Sequence, residues 1–222
     1  MEKLNIIFTI NPALYTKNPN SSELGRKIVS NSIELIDELG FEAFTFRKLG
    51  LRIGSNESSI YRYFESKHIL LLYLICWYWS WVEYKIAFAI TNVDSSKVKL
   101  QEAIRILTDQ VTVDNSFSYI NEVLLHKIII AESSKAYHTK DVDSENEKGY
   151  FQAYKRIVGR VSDLVIDINP SFKFPHMLIS TIIEGAQNLR FFSEHLPSLT
   201  DNNKEKNTIV TFYTDLIFKT IS

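Results

Sequence analysis

The sequence predicts an all-α fold on three observations. Of 222 residues, 7 are glycine and 5 are proline, about 3% and 2% against the usual ~7% and ~5%, which disfavours turn-rich all-β architectures. The prolines stand at Pro12, Pro19, Pro170, Pro175 and Pro197, so residues 20–169 contain none and long helices can run there. Apolar residues then recur three and four apart along most of the chain, the period of an amphipathic helix.

The elements follow in order. Residues 1–21 hold two prolines and the polar run NPNSS behind a small apolar cluster (Leu4, Ile6, Ile7, Phe8), and read as an irregular arm. Ser22 is placed to cap a first helix, whose Ile28, Leu35, Ile36 and Leu39 keep helical spacing until Gly40 closes it. Thr45 caps a second, short helix with Phe46, Leu49 and Ile53 on one face, stopped by Gly54. After Gly54-Ser55-Asn56, the run ESSIYRYF sets Ile60 and Phe64 four apart, a third short helix across a glycine-containing turn. That is the spacing of a helix-turn-helix.

Ser66 then caps a long aromatic helix over residues 67 to about 91, with Leu70, Leu74, Trp77, Trp81, Tyr84 and Phe88 on one face. Further helices are expected over about 96–113, 116–133, 144–166, 174–195 and 201–221, about nine in all. The acidic run at 141–148, DVDSENEK, reads as a solvated loop and helix start. The chain divides into an arm (1–21), a helix-turn-helix domain (22–67) and a larger helical domain (68–222).

Composition narrows the function classes. Apolar residues at 45% and charged residues at 23% match a folded globular chain. The single cysteine, Cys76, excludes an internal disulfide framework and a thiolate zinc site, and fits a cytoplasmic protein. The N-terminus MEKLNIIFTINP lacks the pattern of a secretory signal. Residues 69–81 form the longest apolar run, 13 residues before Glu83 and Lys85, short of the ~20 needed to span a bilayer; no membrane partner is expected. Net charge is −1, so any nucleic-acid site must be a local patch. One exists: residues 45–67 carry Arg47, Lys48, Arg52, Arg62 and Lys67 against Glu57 and Glu65, a net of +3.

Within residues 25–72, Leu39-Gly40, Thr45-Phe46-Arg47-Lys48-Leu49, the turn glycine Gly54 and Ile60-Tyr61-Arg62-Tyr63-Phe64-Glu65-Ser66-Lys67 stand at fixed spacing. This stretch resembles the DNA-binding domain of the TetR family of bacterial transcriptional regulators, whose signature Leu-Tyr-x-Tyr-Phe-x-Ser-Lys it matches with one conservative change. The resemblance covers 48 of 222 residues. It implies a sequence-specific regulator, a repressor by the family's default, that binds a palindromic double-stranded operator as a homodimer and responds to a small-molecule effector.

The resemblance also implies roles. Thr45 and Arg47 match phosphate-contacting positions, Asn56, Glu57, Ser58 and Ser59 open the recognition helix, Tyr61 and Arg62 match backbone or flanking-base contacts, and Lys67 matches a phosphate-binding lysine. Tyr63 and Phe64 match packing positions. Two departures stand out: the family often has alanine at the place of Gly50, and Glu57 brings negative charge where lysine is common. The chemistry of the side chains agrees with these roles, since Arg and Lys neutralise phosphate and Asn can read adenine.

Two further sets are expected in the larger domain. Trp77, Trp81, Tyr84 and Phe88, with Phe117, Tyr119 and His126, are candidates to line an effector pocket for an apolar or aromatic molecule; ordinary core packing accounts for the same aromatic stripe. Ile182, Gly185, Ala186 and Leu189, with Ile209, Phe212, Tyr213 and Leu216, are candidates for a two-fold interface that the resemblance implies, against closure of the monomer core. His68, His126, His138, His176 and His195 show no zinc-ligand spacing. No phosphate-binding loop, nucleophile elbow or paired-carboxylate pattern supports catalysis, and no cofactor or metal is expected. The alternative function is a helical ligand sensor or carrier that has lost specific DNA binding.

Overall fold

The computed structural model describes residues 8–114, 119–201 and 207–222. Among these it contains eleven α-helices and no strand: α1 Glu23–Leu39, α2 Phe46–Ile53, α3 Glu57–Tyr61, α4 Lys67–Ile90, α5 Ser96–Thr108, α6 Glu122–Glu132, α7 Ser134–Tyr137, α8 Val142–Glu147, α9 Gln152–Ile168, α10 Pro175–His195 and α11 Thr208–Ile221. The all-α expectation holds, with two helices more than the periodicity predicts. Gly149, at φ 79°, takes a left-handed conformation that L side chains rarely adopt and separates α8 from α9. Ser133 ends α6, and the single turn α7 follows it. Helix α5 stops at Asp109, whose backbone is extended (φ −76°, ψ 162°), five residues before the apolar period suggests.

The chain forms two compact units, Met1–Ser80 with Val111–Gln152 and Trp81–Gln110 with Ala153–Ser222. In the first, α1 is capped as expected, the Ser22 hydroxyl accepting from the Gly25 N–H. Its Ile28, Val29, Ile33 and Ile36 are buried with Phe44, Phe46 and Leu49 around α2 and with Ile60 and Phe64 around α3. Each such side chain contributes roughly 1.5–3 kcal/mol on burial. From residue 8 on, the arm forms two short 3-10 turns, Pro12–Leu14 and Pro19–Ser21; Leu4, Ile6 and Ile7 of its apolar cluster lie outside the described residues. It is tied in by Leu14, fully buried, and by the Thr16 N–H donating to the Tyr63 carbonyl at 2.8 Å. A side chain at Gly25 would collide with the backbone of Pro19.

The acidic stretch at α8 is not simply solvated. Glu145 is buried, with one carboxylate oxygen 2.7 Å from the His68 Nε2. The imidazole gives this buried carboxyl oxygen a hydrogen-bond partner.

In the second unit Trp81, Val82 and Ile86 of α4 are buried, and α5, α10 and α11 pack against one another. Glu83 accepts both the Nε (2.8 Å) and the Nη2 (2.7 Å) of Arg156, a bidentate pair that fixes orientation as well as charge. Arg190 donates to the Thr108 carbonyl and to the Asn207 Oδ1, each at 2.7 Å; burial pulls its pKa down. Gly185 lies under the Tyr213 phenol, where any β-carbon would clash.

Candidate nucleic-acid interface

The site is built by two capped helices and the turn between them. The Thr45 hydroxyl accepts from the Lys48 N–H at 3.2 Å and begins α2. Gly54, left-handed at φ 66° and ψ 34°, ends it. Gly50 explains one departure from the family pattern: a β-carbon there would stand 2.8 Å from the Ser55 carbonyl oxygen. Its absence lets the turn close against α2. Asn56 then caps α3, its Oδ1 accepting from both the Ser59 N–H (2.8 Å) and the Ser59 hydroxyl (2.7 Å).

The side chains expected to meet DNA separate into two states. Thr45, Arg47, Asn56, Ser58, Tyr61 and Arg62 are exposed; Glu57 and Ser59 are half-buried. Arg47 and Arg62 have no ion-pair or hydrogen-bond partner among the described residues. The Tyr61 ring is braced edge-on against Phe46, centroids 4.9 Å apart, which holds an exposed phenol at the end of α3. Tyr63 and Phe64 are buried, as packing positions should be.

Three of the counted bases are engaged elsewhere. Arg52 forks onto Glu38 of α1 at 2.6 and 2.8 Å and reaches Glu34 at 3.2 Å; its guanidinium holds the Glu38 carboxyl below the usual carboxylate value. Lys67, expected to bind phosphate, donates instead to the carbonyls of Phe41 and Glu42 at 3.1 Å and of Phe44 at 3.4 Å. Lys48 donates to the Ala43 carbonyl at 2.7 Å. Sequence reading had no signal for these ties, since each joins a base to backbone or to acids on a different element.

The aromatic set divides between the units. In the first, Trp77 is buried, and Tyr119, half-buried, donates to the Asn20 Oδ1. His126 stacks on Tyr78 with rings 5.6 Å apart and 5° from parallel. In the second, Trp81 is buried under the Lys85 ammonium, 4.4 Å from its ring centroid, while Tyr84 is half-buried and Phe88 is 74% exposed. Phe117 lies outside the described residues.

The expected interface set also separates. Ile182, Ala186, Ile209 and Tyr213 are buried within the chain, Gly185 and Leu189 are half-buried, and Phe212 and Leu216 face outward at 53% and 36% exposure. Among the described residues no group of three or more His, Cys, Asp or Glu side chains is arranged to hold a metal ion. No helix among them is long and apolar enough to cross a membrane.

Comparison with known proteins bears on this geometry. Residues 28–74 match the family described as bacterial regulatory proteins, tetR family. No curated protein matches the sequence. Among solved structures, a TetR-family transcription regulator from Shewanella sp. PV-4 superposes with a TM-score of 0.62 at 14% identity, covering 87% of this chain and 95% of that one. AibR in complex with isovaleryl coenzyme A and operator DNA gives 0.61 at 12% identity, covering 87% and 98%. The superantigen PfiT gives 0.59 at 14% identity, covering 89% and 96%. Residues 28–74 are thus similar to the bacterial tetR family of regulatory proteins, and the chain has an all-helical, TetR-like fold.

Proposed function

We propose that the protein is a transcriptional repressor that reads an inverted-repeat operator as a homodimer and is modulated by a small apolar or aromatic effector. The observation that carries this is the α2–turn–α3 hairpin: two capped helices presenting Arg47, Tyr61 and Arg62 to solvent, inside the segment that matches the tetR family. Exposed Arg side chains supply phosphate contacts, and the α3 N-terminus supplies polar side chains for a major groove. AibR, similar in fold, is seen with both operator DNA and an acyl-coenzyme A, which supports the same two-part output here. Exposed Phe212 and Leu216 on α11, with Phe191 of α10 at 39% exposure, support a second copy as the partner. The protein is read as non-enzymatic and as acting in the cytoplasm.

Selection of binding sites from a random duplex pool at physiological salt tests the reading. The expected result is an enriched inverted repeat with half-sites about one helical turn (~34–36 Å) apart. A folded protein that enriches no sequence overturns it.

A second reading has its own support. Glu57 sits half-buried in the first turn of α3 and Arg52 is committed to α1, so the interface is less positive than its composition. A sensor or carrier without specific DNA binding fits that, and the superantigen PfiT shows this fold under another description. Salt titration separates the two: affinity that vanishes above low salt without sequence preference favours the carrier.

A further inference from the structure

The arm precedes the segment that matches the tetR family, and it holds one cation in a fixed place beside the end of α3. Its two short turns set a buried anchor on each side of a tip: Leu14 and Pro19 are buried, while Thr16, Lys17 and Asn18 between them are exposed. The tip is fastened on both flanks. The Thr16 N–H donates to the Tyr63 carbonyl at 2.8 Å, and the Asn18 Oδ1 accepts the Asn20 N–H at 2.9 Å, which caps the second turn. Arg26 of α1 donates to the Asn20 carbonyl at 2.9 Å. Gly25, without a β-carbon to meet the Pro19 backbone, lets the arm lie directly on α1.

This fastening brings Lys17 onto Tyr63, its ammonium 5.1 Å from the ring centroid. The Tyr63 hydroxyl shares a hydrogen bond of 2.8 Å with the Ser22 hydroxyl. That bond, against the effect of burial, holds the phenol below the ordinary tyrosine value, and the charges of Lys17 and Arg62 lower it further. Two cations therefore stand close to one phenol, one from the arm and one from the end of α3. Neither has an ion-pair partner among the described residues; Glu23, the acid nearest Lys17 in sequence, pairs with Lys27 at 2.8 Å. A ring face attracts an ammonium but leaves its three N–H donors for other acceptors. Exposed cations with such donors are what phosphate oxygens meet.

We propose that Lys17 is a further DNA-contacting residue, carried by the arm onto a backbone phosphate beside Arg62 and outside the helix-turn-helix. It adds affinity without reading a base. The inference rests on the DNA-binding reading and extends the interface to a residue that precedes the family match.

The test uses the full chain and two duplexes of equal length, the selected operator and an unselected sequence, each titrated across a salt series. Lys17→Met is expected to weaken binding to both by the same factor, about three- to tenfold, and to reduce the slope of log K against log salt by about 0.9 for each copy in contact. Lys17→Arg keeps the charge and is expected to stay within about twofold of the parent. Gly25→Ala pushes the arm off α1 without changing any charge and is expected to reduce the slope by the same amount. Combining it with Lys17→Met should then reduce the slope no further. Thermal melting identifies a variant that fails to fold; if Gly25→Ala does, Lys17→Met at its exposed position carries the test.

An unchanged slope in Lys17→Met overturns the proposal. So does a loss confined to the operator, which would make Lys17 a support for the placement of α3 and not a phosphate contact. Should the parent select no operator, the reading as a sequence-specific regulator fails by itself, and the slope on the unselected duplex still decides the role of Lys17. Absence of binding to either duplex overturns both.

Discussion

The α2–α3 hairpin and the α6–α8 segment belong to one compact unit but are held by different means. The hairpin is local: Thr45 and Asn56 cap their own helices, Gly54 stops α2, and Ile60, Phe64 and Leu49 bury their side chains beside it. The α6–α8 segment is held by buried acids that reach far along the chain, Glu132 to Phe41 and Glu145 to His68. Local signals therefore make the helices, while long-range polar bonds decide where a loop or a helix end is fixed. The first kind costs little to change one at a time at a cap and much in the core; the second costs an unpaired buried group.

The sharpest break is in the hairpin's core. Ile60→Ala, at a fully buried position, is expected to lose about 2–5 kcal/mol, read from urea unfolding. Next comes Glu145→Ala, which leaves His68 without its carboxylate and is expected to cost about 1–3 kcal/mol by the same measurement; a loss below 0.5 would mean that water replaces the carboxylate freely. Thr45→Ala removes one cap and is expected to cost about 1 kcal/mol, with Thr45→Ser near neutral. Smallest is Arg52→Gln, which removes an exposed ion pair with Glu38 and Glu34, a minor contribution to stability, and should leave the salt dependence of operator binding unchanged because that charge is already paired with α1. A clear change in that dependence would add Arg52 to the DNA-contacting residues.

What was legible in the sequence follows the same division. Caps such as Ser22 and Thr45, and stops such as Gly40 and Gly54, act within four residues, so spacing alone predicts them; the cap at Asn56 emerged only in the structure. The helix-turn-helix was readable for that reason, and with it the exposed Arg47, Tyr61 and Arg62. The ties of Lys67 and Arg52 to other elements were not, because charge type is visible in a sequence but the acceptor it meets is not. The acidic run at 141–148 looked solvated by composition, and a single contact from Glu145 to a residue 77 positions away made one of its carboxylates interior. The aromatic stripe of α4 predicted burial well for Trp77 and Trp81 and poorly for Phe88, whose exposure reflects where the helix leaves its packing partners. Gly185 was a candidate for a two-fold interface, and the Tyr213 phenol that a β-carbon there would meet comes from α11 of the same chain.

The cap at Asn56 has a consequence for operator grammar. Both lone pairs of its Oδ1 are taken by Ser59, so as long as α3 keeps its first turn the amide can offer DNA only N–H groups. Adenine read by asparagine needs a donor and an acceptor together. A donor alone is satisfied by guanine, by the N7 of adenine or by the O4 of thymine, and is refused only by the amino edge of cytosine. The operator letter facing Asn56 should therefore be degenerate, a position where three bases are tolerated and one is forbidden, and the sharply specified letters should lie elsewhere in the half-site.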